Sequence, residues 1–246
     1  MNDKHKELYT KLNNGPAILF LGQDYLQLES GKDSFLLEIL RKFGVNFSNK
    51  VGYGQIFEGD ADLSTESSLS WMQERCSRIS PPHWLKVVAD FNWSSLYTSA
   101  IDVIWQNAFR SEWRELHHLF EEKYIPSDPR NRSRLHCTYL FGSVSRTEEL
   151  ERPPLNIIEL ATRNAVSISL ANRLPEIISP LGIFIIEGYA GDRDWFDPEK
   201  FVTVVNKLNP GQTHIFSVSN ELIQNKYIKY FVDNGKVILH EENLAT

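Results

Sequence analysis

The sequence predicts a doubly wound, mostly parallel α/β sheet of about six strands, and three observations carry that prediction. The first is the unbroken apolar run Ala17-Ile18-Leu19-Phe20-Leu21, announced by Gly15-Pro16 and stopped by Gly22. Five apolar residues without alternation mark a strand buried on both faces, as in a parallel sheet. The second is the segment Ser34 to Phe43, where Phe35, Leu36, Ile39, Leu40 and Phe43 recur at helical spacing and Gly44 closes the pattern. The third is that this strand-then-helix alternation repeats to the end of the chain.

In order, Ser94 to Thr98 reads as a short strand and Ile101 to Glu122 as a long amphipathic helix bearing Ile104, Ala108, Leu116 and Phe120. Trp105 and Trp113, eight residues apart, fall on one face of that helix, as core or as an interface. Leu135 to Phe141 is the next strand, and Asn164 to Ile178 a helix that Pro175 kinks or ends. The clearest strand is Ile183-Phe184-Ile185-Ile186, between Gly182 and Gly188. Phe201 to Leu208 then reads as a helix, Thr213 to Ser217 as a strand, and Glu221 to Val232 as a helix. Lys236 to Leu239 follows the Asn234-Gly235 turn as the last strand. The polar stretch Gly52 to Pro82 is expected to be an inserted helical or loop section, spanning 45–92 at its widest, within a single domain covering 1–246. Because His240 to Thr246 stops just after the last strand, the chain also reads as the N-terminal module of a longer protein.

Composition narrows the class. The 246 residues are 41% apolar and 24% charged, the balance of an ordinary globular chain. A net charge of −6 argues against binding nucleic acid through phosphate neutralisation. Arg110, Arg114, Arg130, Arg132 and Arg134 nonetheless make one basic region, read as a solvated face or a partner contact. Cys76 and Cys137 are too few for a disulfide framework or a four-thiolate zinc site and point to a reducing, cytoplasmic setting. No apolar run reaches the roughly 20 residues of a membrane-spanning helix.

In an open parallel sheet, ligands bind beyond the carboxyl ends of the strands. Those positions read Gly22-Gln23-Asp24, Thr98-Ser99-Ala100-Ile101-Asp102, Phe141-Gly142-Ser143 and Gly188-Tyr189-Ala190-Gly191-Asp192. Each is small and polar. They serve either as plain turns or as a pocket whose backbone amides could approach a phosphate.

In that order the motifs resemble the sirtuin-like family, in particular the divergent sirtuin-like domains at the N-termini of prokaryotic anti-phage defence proteins. The family's Gly-Ala-Gly loop is matched by Leu21-Gly22-Gln23-Asp24, and its Ser-Gly-x-x-Asp stretch by Ser30-Gly31-Lys32-Asp33. Its Thr-x-Asn-x-Asp element is matched by Thr98 to Asp102, and its His-Gly-Ser by Phe141-Gly142-Ser143. The distal Gly-Tyr-Ser-x-x-Asp of the defence branch looks like Gly188 to Asp192, with Asp194 close behind. The resemblance implies a Rossmann-like fold and NAD as the ligand. The binding residues it implies are Gly22, Gln23, Asp24, Thr98, Ser99, Asp102, Gly142, Ser143, Gly188 and Tyr189.

The departures fall where the family's chemistry is done. Cleavage of the nicotinamide–ribose bond uses an asparagine to orient ribose or water and a histidine as base, and here those positions are Ala100 and Phe141. A methyl group holds no water and a phenyl ring accepts no proton. Asp24 stands where the family keeps glycine, and a carboxylate there would repel a pyrophosphate. Among substitutes, His136 lies five residues before Phe141, about 16 Å back along a strand, and His117 and His118 fall on the expected long helix. Tyr189, Asp192 and Asp194 are better placed, and Arg193 between the two acids is expected to form a local salt bridge. No zinc-ligand spacing, nucleophile elbow or Walker loop is present, and no metal is expected.

Two readings follow. One is a degenerate, non-catalytic module for assembly or regulation in a defence protein, binding NAD weakly or vestigially and engaging protein partners or its own copies, with neither nucleic acid nor membrane. The other is an active NAD glycohydrolase with a rebuilt site in which Asp102, Tyr189 or Asp192 carries the reaction.

Overall fold

The computed structural model describes residues 3–26, 35–42, 56, 66–120, 133–178 and 181–245. Their elements in chain order are α1 (Asp3–Asn14), β1 (Ala17–Leu21), α2 (Phe35–Lys42), α3 (Glu66–Ser77), α4 (His83–Ala89), β2 (Ser95–Thr98), α5 (Gln106–Phe109), β3 (Glu115–Leu119) and β4 (Arg134–Tyr139). The second half holds α6 (Ile157–Ala171), α7 (Leu174–Ile177), β5 (Ile183–Glu187), α8 (Phe201–Lys207), β6 (Thr213–Phe216), α9 (Asn220–Gln224), α10 (Lys226–Asp233) and β7 (Val237–His240). Short 3₁₀ turns follow β1 at Gln23–Leu26 and β5 at Gly191–Arg193.

All seven strands form one parallel sheet in the order β3-β4-β2-β1-β5-β6-β7, the doubly wound α/β architecture, with one strand more than the sequence predicts. β1 and β5 lie at its centre and are buried at every position, which is why their sequences are apolar without alternation. The chain winds from β1 toward β4 on one side and from β5 toward β7 on the other, so the winding reverses between β1 and β5. At that reversal the loops beyond the carboxyl ends diverge to opposite faces, and a crevice is expected there.

The additional strand comes from the segment 101–122, expected to be one helix. It is a loop, the single turn of α5, a second turn, and then edge strand β3. Leu116 and Phe120, four residues apart, share a face in a helix and equally in a strand, so their spacing does not separate the two. Pairing with the open edge of β4 decides it: Leu116 sits opposite Leu135 and His117 opposite His136. Trp105 and Trp113 therefore share no helix face; Trp105 is buried, and Trp113 is exposed with the Arg114 guanidinium over its ring. Nor is Arg114 solvated. It is buried and donates to the carbonyls of Ala89 (2.7 Å) and Phe91 (3.1 Å). Arg130 and Arg132 lie outside the described residues.

The helix expected at 164–178 starts earlier, at Ile157, because Asn156 caps it. The Asn156 side chain accepts from the amides of Ile158 and Glu159, and Glu159 reaches back to Asn156 Nδ2 (2.9 Å) and to the Leu155 amide (2.9 Å). Pro175 ends nothing here; it lies in the first turn of the separate α7. The helix expected at 221–232 is divided at Asn225, which caps α10 by accepting from Tyr227 and Ile228. Of the expected insertion, α3 and α4 are described; most of 43–65 lies outside the described residues.

Replacing Asn156 with alanine removes two accepted hydrogen bonds at the start of α6. It should cost about 1 kcal/mol, read as a lower urea midpoint at unchanged m-value.

Candidate functional site

The loops after β1, β2, β4 and β5 meet at the carboxyl end of the sheet, where the sequence places the site. Among the described residues they are tied by backbone and side-chain contacts. The Gly22 amide donates to Glu187 O (2.9 Å), and a Cβ on Gly22 would stand 2.5 Å from Gly188 O and 2.6 Å from Tyr189 Cα. Gly188, at φ +63°, lets the β5 loop press on the backbone of Tyr25 in the same way. The β1 and β5 loops are thus in backbone contact across the winding reversal.

Gln23 joins three loops. Its amide donates to Asp194 Oδ2 (3.1 Å), its Nε2 to Asp102 Oδ2 (2.7 Å), and its Oε1 accepts from the Ile101 amide (2.9 Å). Asp102 is fully buried and also accepts from the Tyr25 hydroxyl and from the Ile104 amide (2.9 Å); the same hydroxyl accepts from the Trp105 amide (3.0 Å). Burial pushes the Asp102 carboxyl above the usual range, opposed by the Tyr25, Gln23 and Ile104 hydrogen bonds. Asp194, buried too, gives its other oxygen to the Phe196 amide (3.1 Å), and burial likewise raises its pKa. Thr98 Oγ1 donates to Leu21 O (2.8 Å) and accepts from the Ala100 amide (3.0 Å), and Ser99 is buried behind it.

The other expected site residues are accounted for as follows. Asp24 pairs with Arg193 at 3.0 Å, so Arg193 bridges from the β5 loop to the β1 loop. Ala100 and Phe141 are buried, and the Phe141 ring stacks on Trp195 with centroids 5.6 Å apart. Gly142 and Ser143 are sealed by the segment after them: the Ser143 amide donates to Glu151 O (2.7 Å) and its hydroxyl meets that of Ser145 (3.0 Å). Tyr189 is buried against Phe20 and Phe201 and donates to Phe196 O (2.6 Å). Asp192 is exposed and accepts from Asn225 Nδ2 (3.0 Å) at the start of α10. Asp102, Tyr189 and Asp192 are each engaged with different neighbours. His117 and His118 lie on β3, not on a helix. His117 meets the His136 ring at 5.1 Å, and His118 meets the Tyr139 hydroxyl at 2.9 Å. Ser30 to Asp33 lie outside the described residues.

Sequence reasoning missed Gln23 as the tie, Tyr25 as a donor, and Asp194 as the acceptor for the first-loop amide. The available signal was the polar pair Gln23-Asp24 directly after a buried strand, where an uncompensated polar side chain is costly. Also missed was Glu187, the last residue of β5, buried with its oxygens on the amides of Gly188 (3.2 Å) and Leu244 (2.8 Å). Burial pushes its carboxyl up to about 8. Both cysteines are buried, and burial raises their thiols far above the thiolate range.

A cavity of about 310 Å³ opens beside this closed centre, lined by Leu26, Phe35, Glu38, Arg75, Ile79 and Pro82 among others. Glu38 holds the Arg75 guanidinium through two hydrogen bonds. Ala100, Asp102, Phe141 and Ser143 do not line it. Among the described residues no group of three or more histidine, cysteine or acidic side chains could hold a metal ion. No helix of the described residues is long and apolar enough to cross a membrane. Compared with known proteins, the chain matches no protein-family model and no curated protein.

Two outcomes follow from this packing. Gly22→Ala forces a methyl group into backbone on the β5 loop and should lower stability by roughly 1–3 kcal/mol in denaturant titration. The raised carboxyl of Glu187 is neutral in the fold at pH values where the unfolded chain ionises it. Its contribution to stability is therefore complete below the ordinary glutamate value and lost as pH rises toward about 8. Glu187→Gln should flatten the fall in unfolding free energy across that window, and an unchanged pH profile would contradict the burial.

Proposed function

We propose that this chain is a degenerate sirtuin-like module, non-catalytic, that serves assembly or regulation in a prokaryotic anti-phage defence protein. One observation above all supports this reading: the anion seat at the β1 turn is filled from within. The Gln23 amide, which a bound pyrophosphate would need, already donates to the buried Asp194 carboxylate. Beside it, Ala100 and Phe141 are buried where the family's asparagine and histidine would work, and Phe141 is fixed by its stack on Trp195. These residues do not fit NAD chemistry. For vestigial nucleotide binding, the cavity at Leu26 and Phe35 is the space the described residues offer next to the β1 turn.

The alternative, an active NAD glycohydrolase, keeps the order of the motif loops in its favour. It requires Asp102 to leave three hydrogen bonds, two of them to side chains of the β1 turn, before the carboxylate could meet a substrate. Leaving three donors unpaired is costly in a buried site.

The test is NAD consumption by the purified chain at high protein concentration, with released nicotinamide read by chromatography. No release is expected from the wild type. Turnover that disappears in Asp102→Ala would overturn the non-catalytic reading. Silence in the wild type with activity in the Ala100→Asn/Phe141→His double variant would mean a pocket that lost only its chemistry.

A further inference from the structure

The helix α6, which crosses from β4 to β5, presents a face to solvent that no function discussed so far uses. Its inward side is ordinary: Leu160, Arg163, Ser167, Leu170 and Ala171 are buried. Its outward side carries Ile158, Ala161, Thr162, Ala165 and Ile168, the i, i+3, i+4, i+7 and i+10 positions of one helix face, with Ile157 alongside. Ile158 is 77% exposed, Ile157 54% and Ile168 38%. Such a stripe on a surface helix normally holds charges, and this one holds none. The two charged residues of the helix point elsewhere. Glu159 is bound by Arg152 and the cap, and Arg163 is buried, donating to Leu150 O. Even the hydroxyl of Thr162 is turned back onto Ile158 O (3.2 Å), which leaves its methyl group outward.

We infer that this face is the contact between two copies of the chain, packed as an antiparallel pair of α6 helices about a two-fold axis. This names the partner for the assembly role proposed above and rests on that reading for its meaning. The stripe is complementary to itself. Large residues stand at both ends, Ile157 and Ile158 at one and Ile168 at the other, with only Ala161, Thr162 and Ala165 between. A two-fold axis through the middle sets the Ile158 end of one helix against the Ile168 end of the next. The alanines then meet at the centre, where small side chains let the backbones approach closely. Charge fits as well. On a chain of net charge −6, a neutral face is where a like-charged copy meets least repulsion, and antiparallel helices place opposite dipole ends together. In area, the three exposed isoleucines amount to roughly 300 Å² of apolar surface, the apolar centre that a polar rim completes in a standard dimer contact of about 800 Å² per copy.

The experiment is the mass in solution, by light scattering after size exclusion at micromolar concentration, of the wild type and of Ile158→Glu, Ala165→Glu and Val218→Glu. The wild type should run at twice 28.4 kDa, and Ile158→Glu and Ala165→Glu at 28.4 kDa. Val218→Glu, at an exposed apolar residue on another surface, should stay dimeric. All three positions are exposed, so far-UV circular dichroism of each variant should match the wild type, while the two α6 variants should melt cooperatively at a midpoint that no longer depends on protein concentration, which separates lost association from lost folding. A monomeric wild type overturns both this contact and self-assembly. An oligomer that survives both α6 substitutions overturns this face and leaves assembly through another surface standing. Nicotinamide release from the same samples bears only on the non-catalytic reading.

Discussion

The carboxyl end of the sheet depends on one side chain. Gln23 leaves β1 with a donor, an acceptor and a backbone amide, and two other loops take them: Asp102 and Ile101 after β2, and Asp194 after β5. Because the partners are buried, none can exchange its bond for water at low cost, and the loops move together or not at all. The ion pair Asp24–Arg193 and the close seating of Gly22 on Gly188 repeat the same connection at its rim.

This arrangement turns a usual ligand crevice into packing. A doubly wound sheet places its crevice where the winding reverses, and here Tyr25, the carboxyls of Asp102 and Asp194, and the Phe141–Trp195 stack are buried beside it. Beneath it, Phe20, Tyr189, Phe196 and Phe201 form an aromatic cluster whose ring centroids lie 4.8 to 5.9 Å apart. The buried acids are held where burial alone disfavours their charge, with the hydrogen bonds of Gln23 and Tyr25 compensating at Asp102 and backbone amides at Asp194 and Glu187. The polar groups of Gln23, Asp102, Asp194 and Glu187 are thus committed inward at the strand ends.

Much of the fold was legible because the strands are buried on both faces. β1 and β5 can be written down from their apolar runs alone, and the glycines after them locate the loops. The misreading of 101–122 has a specific cause. Leu116 and Phe120 satisfy both periodicities, and only the unpaired edge of β4 chooses between them. The capping boundaries at Asn156 and Asn225 were signalled by residue type but went unread beside stronger apolar patterns. For the site, the four loops beyond the strands were legible in the sequence, whereas the one polar pairing it suggested, Arg193 with a neighbouring acid, is in the structure a pair with Asp24.

By itself, the sequence determined the class of fold, the loops at the end of the sheet and the residue types they carry, since burial on two faces and turn chemistry are local properties. Tertiary structure alone decided that Asp24 meets Arg193, that Asp194 takes the Gln23 amide, and that Asp102 is enclosed rather than presented. Those contacts join residues 79 to 171 positions apart. No pattern within one segment encodes such a distance, because which loop reaches which is fixed only when the strands are set side by side.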